Sequence, residues 1–222
     1  MNKKQLLVYY TILLLLLTAV FFQNIALRMA MNSLFPIVSI IFYFYSRKNN
    51  FNSKDQYYVA SLCAASIQEI FTVWRHQQWG INWGIFFLFL MFFFFIQTIK
   101  QEEQYLLFGK NKLFIKAAII ILAAVCFFAS IFLPFIPDYF IIPLFVHTFS
   151  MFFSFLVALN RRTNHQSYIL VILGMVLFVF TTLFASVSLF IIDFPLSYFF
   201  ERLSFLLGTS FITIGIIKSY SA

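Results

Sequence analysis

The stretch SLCAASIQEIF at 61–71 sets Gln68 and Glu69 in an otherwise apolar run, six residues before Arg75. Burying a lone carboxylate in hydrocarbon is costly enough that such a residue is paired, protonated or put to use. A second ionisable group, His147, stands in the apolar run DYFIIPLFVHTFS at 138–150. At 1.5 Å per helical residue, Glu69 lies about 9 Å below the outer end of its segment and His147 about 12 Å below the outer end of its own. If the two helices touch, an acid and an imidazole share one low-dielectric pocket, where either can handle a proton near neutrality. Gln68, Thr181 and Thr182 fall where they can line the same cavity.

Trp74, Arg75, His76, Trp79, Asn82 and Trp83 cluster at the outer mouth, where Arg75 suits a phosphate and Asn82 is a further substrate contact. Each candidate has a plainer reading beside the chemical one. Glu69 can pair within the bundle, His147 can bond a neighbouring helix, and the threonines can bond back to the preceding turn. Tryptophan and arginine at that level also form the ordinary interfacial belt.

The elements that position these residues follow from composition. The chain has 222 residues, 63% hydrophobic and 22% aromatic with 35 phenylalanines, and only 10% are charged. Its mean hydropathy is +0.93. A soluble domain of this size cannot hide that much apolar surface, so the expected class is all-α: a polytopic membrane helical bundle forming one domain over 1–222. The formal charge of +8 comes from bases in short loops between apolar runs, which suits anionic lipid headgroups and not nucleic acid. Cys63 and Cys126 lie inside apolar runs with no metal-ligand or disulfide spacing and read as core thiols.

Eight apolar segments are expected, at 5–22, 30–45, 57–74, 82–99, 114–133, 139–159, 168–192 and 203–218. Each covers or nearly covers the ~20 residues of a transmembrane helix. The basic start resembles a signal peptide, but an apolar run of about 17 residues without a small-x-small cleavage site favours a retained first span. With the N-terminus in the cytoplasm, Lys3, Lys4, Arg47, Lys48, Lys54, Lys100, Lys110, Lys112, Lys116, Arg161, Arg162 and Lys218 fall inside, and Arg28, Arg75 and Arg202 outside. That bias places both termini in the cytoplasm. A bacterial inner membrane is the expected location. Asp193 and Glu201 are expected to flank the last outer turn, with Arg202 paired to one of them.

Signatures of soluble catalysis are missing: there is no G-x-S-x-G, H-E-x-x-H, Walker A or dinucleotide fingerprint. No metal ligand set and no cofactor are expected. A charge-translocating pump also needs more ionisable groups along one path than this chain carries.

GMVLFVFTTLFASVSLF at 174–190, followed by ERLSFLLGTSFITIG at 201–215, resembles the C-terminal helix pair of the YhhN family, the lysoplasmalogenase-like eight-span membrane proteins. Gly174, Leu177 and Phe178 match its glycine-led helix. Thr181 and Thr182 stand at its Ser-Asp positions, and Ala185 supplies the small residue that follows. Ser66, Gln68, Glu69 and Ile70 fit the family's S-x-x-G-D frame, with Gln for Gly and Glu for Asp, while Gly84, Pro143 and Met151 also suit the pattern. The histidine of the fourth helix is missing, and His147 stands where an aromatic is usual.

The resemblance implies hydrolysis of the vinyl ether bond of a lysoplasmalogen or related lysolipid, releasing a fatty aldehyde. That chemistry needs a proton on the alkenyl carbon and water directed at the resulting cation, a task for paired embedded acids. One acid is kept as Glu69 and the other has become Thr182, so if two carboxylates are required the chain is either inactive or has recruited His147 as the second proton carrier. Gln68, Arg75, Asn82 and Thr181 are the corresponding substrate contacts, and membrane lipids are the expected partners. Two other classes stay open: a lipid-binding or sensory membrane protein using the same cavity without turnover, and a small proton-coupled transporter.

Overall fold

The computed structural model describes residues 3–18, 25–47, 51–74, 77–102, 130–192 and 194–220, with six single residues between 115 and 126. Most of the fifth expected span, and Arg75 and Asp193, lie outside the described residues. The order is α1 (Lys3–Leu17), α2 (Ile25–Arg47), α3 (Ser53–Thr72), α4 (Gln78–Lys100), a 3-10 turn at Leu133–Phe135, α5 (Asp138–Leu159), α6 (His165–Phe190) and α7 (Ser197–Lys218). The described residues contain no strand. Five helices are long and apolar enough to cross a membrane: α2 from Met29 onward, α4, α5, α6 and α7. With leucine, isoleucine and phenylalanine side chains such as Leu14, Ile41, Ile142, Phe145 and Phe149 facing outward, this is an all-helical integral membrane protein.

Two elements run against the usual polarity of such a bundle. α3 buries Ser61, Ser66, Gln68 and Glu69 between α2 and α4, so its polar residues face inward and its hydropathy falls short of the other spans. α7 is the most enclosed, with 78% of its most apolar window buried against 28% for α6. It packs along α6 and also touches α1 and α2, which makes it the central staff of the bundle. Hydroxyls stitch it in place: Tyr58 donates to Thr213 Oγ1 (2.7 Å), whose own proton goes to the Thr209 carbonyl. Tyr9 on α1 donates likewise to Ser39 on α2 at 2.8 Å. In lipid such bonds replace the hydrophobic drive that helix pairs lack.

The α6–α7 seam is close because it is built on glycine. A Cβ on Gly174 would meet Ile212 Cγ1 at 2.6 Å and the Gly208 carbonyl at 2.7 Å. Gly215 repeats the arrangement against Val171. The connection into α7 is tight as well. It runs over 191–196 and ends on Leu196, a left-handed residue with φ 64°, a conformation strained for a side chain of this size. The last helix thereby starts at Ser197, six residues earlier than the expected span, and carries Glu201 and Arg202 into the helix instead of the turn.

One end of the bundle is held by charge. Glu102 accepts from Arg161 at 2.8 and 2.6 Å and pairs with Lys54 at 3.0 Å, and Lys54 also donates to Ser219 Oγ at 2.7 Å. Arg161 reaches Ser167, whose hydroxyl closes on the Gly215 carbonyl at 2.7 Å. Asp55 collects Arg47, Tyr43, Tyr220 and the backbone N–H of Asn52, the last as half of a capping box that starts α3. The Arg47 guanidinium lies 3.3 Å over the Tyr220 ring. Ends of α2, α3, α4, α5, α6 and α7 are thus tied together. Burial pushes the Glu102 carboxyl up, but Arg161 and Lys54 outweigh it and hold it below the usual range. Asp55 behaves alike: burial raises it, and Arg47, Tyr43, Asn52 and Tyr220 bring it below.

Two predictions follow from this packing and this network. Gly174→Ala should lower unfolding stability in detergent by about 1–3 kcal/mol through overpacking. Gly84→Ala, whose new Cβ would sit 3.7 Å from Phe71 Cβ, should leave it unchanged; equal effects of the two would contradict the seam. Carboxyls with depressed folded pKa values stabilise fully above their unfolded values, and that contribution is lost as pH falls through the folded ones. Thermal stability should therefore hold steady above pH of about 5 and drop below about 4, and Glu102→Gln should flatten the drop.

Candidate functional site

Glu69 sits on the inward face of α3, 1% exposed, and Arg202 on the first turns of α7, 4% exposed. One guanidinium nitrogen of Arg202 binds Glu69 Oε2, and the other binds Glu201 Oε1 at 2.6 Å. The positive plane is stacked near Tyr198 and Phe205, at 5.4 and 5.3 Å from their ring centres. Asn32 on α2 donates to the Tyr198 hydroxyl at 2.7 Å and fixes that wall. Two carboxyl groups and one guanidinium are thus buried as a unit joining α3 and α7. One cation balances one carboxylate, so the unit is neutral when it carries one proton.

A cavity of about 130 Å³ opens beside this cluster. Its walls are apolar residues of α4, α5 and α6, including Leu88, Phe92, Leu144 and Phe178. Its polar wall is made by Gln68, His147, Thr181, Thr182, Glu201 and Arg202. A volume of that order holds a benzene-sized group. Glu69 itself lies behind Arg202, on a second small cavity with Asn32 and Leu206.

The expected acid–imidazole pair is not formed. A guanidinium makes charge-assisted bonds to the Glu69 carboxylate that a neutral imidazole cannot match. α4 also packs against both α3 and α5, and Phe92 of α4 stands 6.0 Å from the His147 ring centre. His147 instead meets Thr182 Oγ1 at 3.2 Å. Thr181 bonds back to the Leu177 carbonyl at 3.0 Å while lining the cavity. Asn82 is exposed and is not among the residues that line the cavity. The outer tryptophans form a stacked aromatic set around Phe71, with Phe71 and Phe87 nearly parallel at 5.7 Å.

The cluster was only half visible from sequence. From sequence, Glu201 and Arg202 read as residues flanking a turn, with Arg202 paired to either Asp193 or Glu201; the structure pairs it with Glu201 and Glu69. The available signal was their setting: apolar residues on both sides, within a window of mean hydropathy 1.4. Among the described residues no group of His, Cys, Asp and Glu could hold a metal ion.

Arg202→Met should destabilise the protein by about 3–5 kcal/mol, because it strands two buried carboxyls. Glu69→Gln, Glu201→Gln and Arg202→Met combined should recover most of that loss in detergent unfolding; a triple variant no more stable than the single one would show that the cluster is not an electrostatic unit. Compared with protein-family models, curated proteins and solved structures, the chain matches none, and the residues of the cavity carry its functional reading.

Proposed function

We propose that this chain is a YhhN-like lipid hydrolase of eight spans with both termini in the cytoplasm, placed in a bacterial inner membrane and acting on the vinyl ether bond of a lysoplasmalogen or a related lysolipid. The topology is supported by the ends that cluster together: those bearing Arg47, Lys54, Lys100, Arg161 and Lys218 lie on one side of the bundle, which becomes the cytoplasmic side under the positive-inside bias. The cavity then belongs to the outer half of the membrane.

The observation that carries the reaction is that two kinds of proton-handling group line one apolar cavity: Glu201, bound with Glu69 through Arg202, and His147. Thr182, at the position of the family's second acid, bonds His147, so the imidazole stands beside the place that acid would hold. In this reading Glu201, which lines the cavity, delivers the proton to the alkenyl carbon. Glu69 acts through Arg202 as the charge partner that sets how the proton is held. Water adds to the carbon next to oxygen in the resulting cation, His147 takes the proton that water gives up, and the hemiacetal collapses to aldehyde and free alcohol. The cavity is too small for a whole lipid, so it takes the bond being broken while the chain lies along the apolar walls.

Purified protein in liposomes given a lysoplasmalogen should release aldehyde. Glu201→Gln and His147→Phe should each lower turnover by about 10²–10⁴-fold, and Glu69→Gln should lower it while shifting its pH dependence. Saturable lipid binding without aldehyde would identify a lipid-binding or sensory protein instead, and proton flux without either would identify a transporter.

A further inference from the structure

Two acceptor atoms on the cavity-lining side chains have no hydrogen-bond partner among the described residues: His147 Nδ1 and Gln68 Oε1. Both residues are more than nine-tenths buried, at 6% and 7% exposure. Leaving such groups unsatisfied is costly, so a ligand that completes them is favoured.

Their chemical character follows from counting protons. Thr182 has one hydroxyl proton, and its contacts to Met151 Sδ at 3.3 Å and to His147 Nε2 are both hydrogen bonds only when that proton goes to the sulfur, which cannot donate. Its oxygen therefore offers His147 Nε2, 3.2 Å away, only lone pairs. Nε2 must carry the imidazole proton, and Nδ1 is left bare as an acceptor. Gln68 repeats the device one helix away. Thr72 gives its proton to the Gln68 carbonyl at 3.2 Å and accepts from the Gln68 amide nitrogen at 2.8 Å, so Oε1 is the atom left over.

We propose that His147 Nδ1 and Gln68 Oε1 each accept a hydroxyl proton in this cavity, supplied either by water or by an alcohol on the bound lipid. Met151, Thr182 and Thr72 are positioning residues of that site, since each fixes which atom of its neighbour is bare. A phosphate brings acceptors and so cannot complete these two atoms. A quaternary ammonium has no proton to give and would leave both atoms unsatisfied. The inference rests on the cavity as a ligand site and not on turnover, so it stands or falls without aldehyde release.

The test is nitrogen NMR of protein labelled at the imidazole nitrogens, held in lipid nanodiscs, with the His147→Phe spectrum used to assign His147 among the three histidines. The wild type should show Nε2 protonated and Nδ1 unprotonated. Met151→Leu removes the sulfur acceptor, frees the Thr182 proton for Nε2, and should shift the population towards the Nδ1–H form. Titration with a lysophosphatidylethanolamine and with its 2-O-methyl ether then separates the two sources. A hydrogen-bonded Nδ1 signal that appears with the hydroxyl lipid alone assigns the donor to the lipid, and one present before lipid and unmoved by either assigns it to water. A protonated Nδ1 in the wild type, an unchanged tautomer in Met151→Leu, or an Nδ1 free of any donor in every condition overturns the proposal.

Discussion

A single buried guanidinium decides how this bundle is put together. Arg202 cannot be left alone in a membrane interior, and the two carboxyls that satisfy it come from different helices, one from α3 and one from its own chain neighbour. Once that contact is required, α7 must lie against α3 with its first turns pointing inward. The rest of α7 then has to be accommodated in the centre of the fold, and the glycine seam with α6 is what lets a neighbouring backbone come close enough. The same helix ends at the basic cluster, where Ser219 accepts from Lys54, and Tyr220 carries Arg47 over its ring and donates to Asp55. A helix pinned by charge at both ends and by hydroxyls between them has little freedom to turn or slide.

The cavity follows from this arrangement. It lies where the charged start of α7 meets apolar faces of α4, α5 and α6, so one wall is ionic and the others are hydrocarbon. Such a boundary suits the junction between the polar and apolar parts of a lipid. Histidine, glutamine and three threonines supply neutral polar atoms along the edge, and most of those atoms are already committed to neighbours. Among the described residues, His147 Nδ1 and Gln68 Oε1 are the uncommitted atoms of these groups.

The helices were legible because hydropathy speaks plainly over twenty residues, and the sequence positions of α2, α4, α5 and α6 lie within about five residues of the expected spans at either end. The burial of Glu69 was legible from its apolar setting. Which group it meets was not, since partner choice in a bundle depends on which helices are neighbours, and apolar faces of similar composition carry little information about that. His147 and Thr182 were placed on one cavity by their positions in the sixth and seventh expected spans, while the separation of His147 from Glu69 by α4 and Phe92 had no sequence signal. The start of the last helix was misplaced because charged residues count against a span in any hydropathy reading, even where they neutralise one another inside the fold.

The short connection ahead of α7 has a consequence for how this sequence can change. Each residue of an α-helix advances its face by about 100°. Residues 191–196 span the gap with a proline and a strained Leu196, so there is little slack to absorb a change in length. Loss or gain of one residue there would rotate the whole of α7, carrying the guanidinium off Glu69 and the glycines off their seam at once. The length of that turn therefore constrains the fold as much as the charges it delivers, and a substitution within it disturbs α7 less than an insertion would.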